Sequence, residues 1–303
     1  LNVEDVFSTF LYTGTGSAQT ITNGIDLSGE GGLVWGKSRS ATQNHRLYDT
    51  EGNGLYSNLS NGSFGSSGRF TANSDGFDLT ASSGIVGGSG YGGPDYASWT
   101  FRKAKKFFDV VTFSGNTSGV TVSHNLGSNV GFIVVKRTDS TSSWTCWHRN
   151  DGSSPLRFSL ESTLAGFAAS GKWGTVDSSS FSMVSGATDT GATYVAYLFA
   201  HNDGDGGFGP DGDQDIIKCG SYSGNGSVQD IDLGFEAQWI LVKNITSSNT
   251  TAARWGIYDV MRGMPPTTYG AAELNSDQAT AERTGYSSIT PHANGFTLLN
   301  GVT

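Results

Sequence analysis

The chain has 303 residues and a formal charge of −9, with 27 acidic side chains against 18 Lys and Arg. That balance excludes a nucleic-acid groove, which needs clustered cations to displace counterions. Only 15% of residues are charged and 44 are Gly, while aromatics reach 12%; this excludes long polar helices and favours strands joined by glycine turns.

The first phrase that matters is "LYTGTGS", Leu11–Ser17, because the chain writes it again as "TFSGNTS" (Thr112–Ser118) and "SYSGNGS" (Ser221–Ser227). Each copy sets an aromatic before a Ser/Thr-Gly pair. It predicts the first strand of a unit and the turn after it, with glycines supplying the positive φ that other residues resist. An apolar run ending in Lys follows each time: "GLVWGK" to Lys37, "FIVVK" to Lys136 and "WILVK" to Lys243. Such runs read as core strands, with the Lys marking where the strand meets solvent.

A second aromatic strand comes next, as "HRLYD" (His45–Asp49), "WTCWH" (Trp144–His148) and "WGIYD" (Trp255–Asp259). After a variable Gly/Ser stretch come "SDGFDL" (Ser74–Leu79), "SSSFSM" (Ser178–Met183) and "HANGFTL" (His292–Leu298). Two copies close with "YASWTF" (Tyr96–Phe101) and "YVAYLF" (Tyr194–Phe199); the third copy has no such strand before Thr303. Either that strand follows Thr303 or a neighbouring subunit supplies it, since an open edge invites strand addition.

About seven short strands per copy predict an all-β protein of three tandem β-sandwiches, jelly-roll or concanavalin-like. The boundaries are 1–105, 106–202 and 215–303, with 203–214 as an acidic glycine-rich linker. The first junction contains the basic run "RKAKK" (Arg102–Lys106), which reads as solvated. Hinge freedom is expected at the linker, between the second and third copies.

These residues resemble a repeated β-sandwich domain of virion structural and tail-fibre proteins of bacteriophages, especially aquatic ones. The shared pattern is a "YTGNG" opening, a "VWIK"-like strand, a "YD" or "YDxxRG" strand, a "DGF" turn and a "YVAW"-like closing strand. Here it matches "YTGTG", "LVWGK", "LYD" and "SDGF", and later "SYSGNG", "WILVK", "IYDVMRG" and "NGF". The second copy departs most, with "WTCWHRN" and "SSF". The resemblance implies a structural or adhesive role and carries over no catalytic residue.

A search for chemistry yields little. Retaining glycosidases need two carboxylates about 5 Å apart, and no strand pairs them. Asp49 and Asp259 recur in register, which marks them as structural. The five His are scattered, and "GGSGYGG" (Gly87–Gly93) has a phosphate loop's glycines without its Lys. The linker aspartates Asp203, Asp205, Asp211, Asp213 and Asp215 are spaced by two among glycines, as calcium loops are. They depart from the EF-hand pattern: Ile216 holds the glycine position and no Glu closes the loop. For a sugar, the loop aromatics to nominate are Trp173 and Tyr91.

The sequence therefore predicts a non-enzymatic structural or adhesive protein of a virion appendage or tail fibre. It would be extracellular, oligomerise with copies of itself and present loops to host surface glycans, with no nucleic-acid or membrane partner. No cofactor is required, calcium being the single candidate. The alternatives are a self-polymerising filament subunit built by strand complementation and a carbohydrate-binding module.

Overall fold

The computed structural model describes residues 1–87, 93–150, 156–165, 167–168, 171–247, 249–250, 252–265, 270–287 and 289–299. The chain is all-β: 41% of it lies in strands and 3% in helix.

The first segment contains β1 (Phe7–Thr13), β2 (Gln19–Thr22), a short α1 (Leu27–Glu30), β3 (Gly32–Ser38), β4 (Arg46–Asp49), β5 (Gly54–Leu55), β6 (Phe70–Asn73), β7 (Gly76–Leu79) and β8 (Asp95–Arg102). They form two antiparallel sheets, ordered β1-β8-β3-β4-β5 and β2-β7-β6. The second segment has β9 (Phe108–Ser114), β10 (Val120–Ser123), β11 (Val130–Arg137), β12 (Thr145–His148), β13 (Leu156–Arg157), β14 (Phe167–Ala168), β15 (Trp173–Val176), β16 (Ser180–Met183) and β17 (Thr193–Ala200). Its larger sheets run β12-β11-β17-β9, which is the order β1-β8-β3-β4 read from the other edge, and β10-β16-β15, which matches β2-β7-β6. The third segment has β18 (Gln229–Asp232), β19 (Trp239–Lys243), β20 (Trp255–Asp259), β21 (Ala271–Asn275), β22 (Arg283–Ser287), β23 (Ile289–His292) and β24 (Gly295–Leu298). Its sheets are β19-β20-β21-β22 and β18-β24-β23.

Side-chain alternation explains why the large-sheet strands are apolar along their length. Successive residues point to opposite faces, and here both faces are covered. In the first segment Val34, Tyr48 and Tyr96 face the small sheet and meet Ile21, Phe77 and Leu79. Their neighbours Leu33, Trp35, Leu47 and Trp99 point the other way. The second segment repeats this, with Ile133, Val135 and Leu198 against Val122, Phe181 and Met183. Ile240 and Tyr258 meet Phe296 and Leu298 in the third.

The outward faces are where the segments join. Trp35 and Trp99 from the first, Val134, Trp144 and Tyr197 from the second, and Trp255 and Ile257 from the third belong to one hydrophobic cluster. The segments therefore do not hang as beads from a linker. Burial of this apolar surface, at about 25 cal/mol per Å², holds the three segments to one another.

The linker is folded too, which corrects the hinge expected there. Phe208 is 2% exposed and meets Phe107 edge-on at 6.4 Å. Phe208 and Gln214 exchange backbone hydrogen bonds of 3.1 and 2.9 Å. Gly204, Gly207, Gly209 and Gly212 all have φ between 71° and 82°. The glycines serve a tight turn that side chains would resist, not a loose tether.

The opening phrase behaves differently in the third segment. Gly16 and Gly226 share a turn conformation, with φ of 75° and 71°. Yet β1 and β9 are strands, whereas residues 216–226 form none. β1 and β9 are strands because they pair with β8 and β17; no described residue gives the third opening stretch such a partner.

Candidate functional site

The recurring lysines do not reach solvent as expected. Lys37 and Lys136 are 0% exposed, and Lys243 is half-buried. Their alternation places them on the face that meets the other segments. Lys136 Nζ donates to Ser142 O at 2.6 Å, to Ser60 O at 3.0 Å and to Arg137 O at 3.2 Å, so it spans two segments. Lys243 Nζ donates to Ser162 O at 2.9 Å and to Ala253 O. Lys37 Nζ donates to Ser38 O at 2.6 Å and Ala41 O at 3.3 Å. Burial pushes each ammonium down to about 8.

The recurring aspartates serve the same junction. Trp99 Nε1 donates to Asp259 Oδ2 at 3.0 Å, from the first segment to the third. At the equivalent place in β17, Tyr197 donates its hydroxyl to Asp49 Oδ2 at 2.7 Å, from the second segment to the first. Trp144 Nε1 reaches Tyr56 O at 3.1 Å, and Trp255 Nε1 reaches Ser159 O at 3.0 Å. Ser57 Oγ donates to Ser276 O at 2.6 Å, and Arg39 pairs with Glu282 at 2.7 Å. First meets second, second meets third, and third meets first: the three segments close on one another.

The histidines are similarly occupied. In all five, Nδ1 accepts a hydrogen bond: from the Trp35 indole at His45, and from backbone N–H at His124, His148, His201 and His292. Burial holds His148 down to about 4 and lowers His45, His124 and His201 as well. A ring whose lone pair already accepts a hydrogen bond is poorly placed as a base.

The linker aspartates do not converge. Asp215 accepts Gly204 N at 2.7 Å and Gly206 N at 2.8 Å, which pins the turn. Asp203 pairs with Lys218 at 3.3 Å, and Asp205 offers its backbone oxygen to Lys106 at 2.6 Å. Asp211 and Asp213 are exposed. Among the described residues no group of three or more His, Cys, Asp or Glu side chains is placed to hold a metal.

Trp173 begins strand β15 instead of standing in a loop. It is half-buried, its ring 5.8 Å from Phe181 and its N–H donating to Cys146 O at 3.3 Å. Tyr91 lies outside the described residues. The basic run is not simply solvated: Arg102, Lys103, Lys105 and Lys106 line a cleft of about 400 Å³ with Leu1 and Phe208. Lys103 sits 3.6 Å from both Glu51 and Asp109, so acidic neighbours already answer part of this charge.

One place breaks the pattern. Among the described residues β19 pairs with β20 alone, whereas β3 and β11 are paired on both sides. β3 is buried throughout and β11 at all but Arg137; four of the five residues of β19 are partly exposed. Sequence reasoning misses the buried lysines and the shared core. The signal for the latter was present, since strands apolar at every position must be covered on both faces.

A family described as "Domain of unknown function (DUF7483)" matches residues 2–301. The chain belongs to this family. Its span takes in all three segments at once, as befits segments that share one interior. No curated protein and no solved structure matches the chain.

Proposed function

We propose that the chain is three tandem β-sandwiches, residues 1–105, 106–202 and 215–303, joined through 203–214 and closed round a common core. In this reading it is a non-enzymatic structural and adhesive component of a virion appendage or tail fibre. It works outside the cell, assembles with copies of itself and turns its loops toward a host surface.

The observation that carries the reading is where the register-bound polar groups are used. Lys136, Lys243, Asp49 and Asp259 all bond across segment boundaries. Active sites leave such groups facing a cleft with room for substrate; here they bond across the junctions of a scaffold. The net charge of −9 adds solubility to a particle that must not aggregate before assembly.

Light scattering and negative-stain electron microscopy across a concentration series provide the test. Discrete oligomers or fibres are expected. A monomer at every concentration that depolymerises a polysaccharide overturns the reading. Sugar binding that disappears in Trp173→Ala would replace it with a carbohydrate-binding module.

A further inference from the structure

The first two segments carry the same loop ahead of their closing strands, written Ser83-Gly84-Ile85-Val86 and Ser185-Gly186-Ala187-Thr188. Gly84 and Gly186 share a left-handed backbone, with φ of 76° and 77°. What stands against the loop differs. A Cβ added to Gly84 would meet the Arg46 guanidinium at 2.8 Å, whereas one added to Gly186 would meet nothing within 4 Å. β3 sets Gly36 opposite Arg46, and β11 sets Val135 opposite Thr145. Ile85 packs over Gly36, where an added Cβ would come within 2.6 Å of it. Val135 and Ala187 make the reverse exchange in the second segment, so those two volumes balance. Thr145 in the place of Arg46 has no such compensation, and a cavity of about 130 Å³ remains. We propose that this cavity binds one sugar ring of a glycan on the surface to which the protein attaches.

The lining selects the ligand. Ser142, Ser143, Thr145 and Tyr194 bring hydroxyls to the cavity, and Arg137 and Asp189 bring charges. Thr145 is 9% exposed and Tyr194 7%, while Ser143 and Asp189 are open to solvent. Among the described residues the hydroxyls of Ser142 and Thr145 have no hydrogen-bond partner. Tyr194 accepts from Asp189 N at 3.0 Å, which leaves its own proton to give. An apolar guest would cut these groups off from water without replacing its bonds. An anion finds no free cation: Arg137 is paired with Asp139 at 2.7 Å and with Asp189, and Lys172 is engaged as well. The guest is therefore small, uncharged and rich in hydroxyls. At about 30 Å³ each, about four waters fill the cavity, and the hydroxyls of one ring replace their hydrogen bonds.

The first segment has no such site because Arg46 closes it. Its guanidinium lies 4.3 Å from the centre of the Tyr56 ring and 5.1 Å from that of Phe64. The inference rests on the adhesive reading for the source of the sugar, and not on how copies of the chain assemble.

The test titrates the isotope-labelled chain with the methyl glycosides of glucose, galactose, mannose and N-acetylglucosamine, read as amide chemical shifts. At least one is expected to bind saturably, with a Kd of about 1 mM and shifts centred on residues 142–145 and 186–189. Thr145→Val keeps the shape of the side chain and removes one hydroxyl. It should weaken that binding about tenfold without lowering the melting temperature. Thr145→Arg restores the filler of the first segment and should abolish binding; if that variant does not fold, Thr145→Val and the shift map decide. No saturable binding by any glycoside, shifts that avoid these residues, or binding that Thr145→Val leaves unchanged overturns the inference. So does sulfate that competes at the same amides, because the site would then select charge. A monomer that binds the sugar keeps the inference and ends the assembly reading, whereas fibres that bind no glycoside do the opposite.

Discussion

Trp99 donates its indole N–H to Asp259 across 160 positions of sequence, at 3.0 Å, in a site closed to water. Asp259 also accepts Arg262 Nε at 2.6 Å, and the Arg262 guanidinium lies 5.2 Å from the centre of the Trp99 ring. Both charged side chains are 0% exposed. The first and third segments thus meet at a buried ion pair held under an indole.

Trp99→Phe keeps most of the packing and removes one hydrogen bond, at a cost of about 1–2 kcal/mol. Asp259→Asn leaves Arg262 buried with the Glu282 carboxylate 3.2 Å away as its remaining ion-pair partner; the loss should reach about 3–5 kcal/mol. Urea unfolding of the two variants checks the order. Equal losses would mean that the Asp259 charge does not matter to the junction.

The same pair marks the limit of what a single sequence reveals. The all-β class and the recurring lysine and aromatic strands were legible, because hydrophobic period and turn residues act locally. Asp49 and Asp259 were recognisable as structural from register alone. Their partners Tyr197 and Trp99 were not, since contacts between segments depend on how whole sheets face one another. The lysines misled for the same reason. A Lys ending an apolar run normally meets water, but Lys37 and Lys136 end theirs inside a junction that the run itself does not disclose. Glycines in the linker also read two ways, as freedom or as tight turns, and the burial of Phe208 decides for the second.

Lys136 gives a pH dependence of known sign. Burial lowers its folded-state value to about 8, against about 10.4 when unfolded. Between these values the unfolded chain binds more protons, so stability rises as pH climbs from about 8 to 10. Lys136→Met removes that gain. Its deficit relative to the parent should therefore widen by about 1–3 kcal/mol between pH 7 and pH 10, read from denaturant midpoints. A deficit that narrows with pH would show the ammonium to be favoured in the fold by its three carbonyls.

Asp277 works in the opposite direction for a carboxyl. It is 4% exposed, and burial raises it to about 6 despite the nearby Lys243. The folded chain holds this proton longer than the unfolded one, so the contribution is complete below about pH 4 and is lost as pH rises through 6. Asp277→Asn imitates the protonated form. It should match the parent at pH 4 and exceed it by about 1–2 kcal/mol at pH 7.5. A variant weaker than the parent at pH 7.5 would mean that the carboxylate is needed in the charged form.

The shared core also predicts how the chain comes apart. Segments joined by a loose linker melt separately, because each transition exposes only its own interior. Here Phe101 contacts Trp239 at 5.5 Å, Phe132 contacts Trp255 at 5.9 Å, and Phe101 lies 5.4 Å from Phe199, all at one cluster. Unfolding one segment strips a face from the other two and breaks the bonds of Lys136, Tyr197 or Trp99 with it. Calorimetry should give one transition, with the calorimetric enthalpy close to the van't Hoff value. Phe208→Ala removes a buried ring from the linker, costing about 3–5 kcal/mol, and should lower that single transition as a whole. Two or three separate peaks, or a Phe208→Ala profile that splits while its upper part stays in place, would return the linker to the role of a hinge and the segments to independent domains.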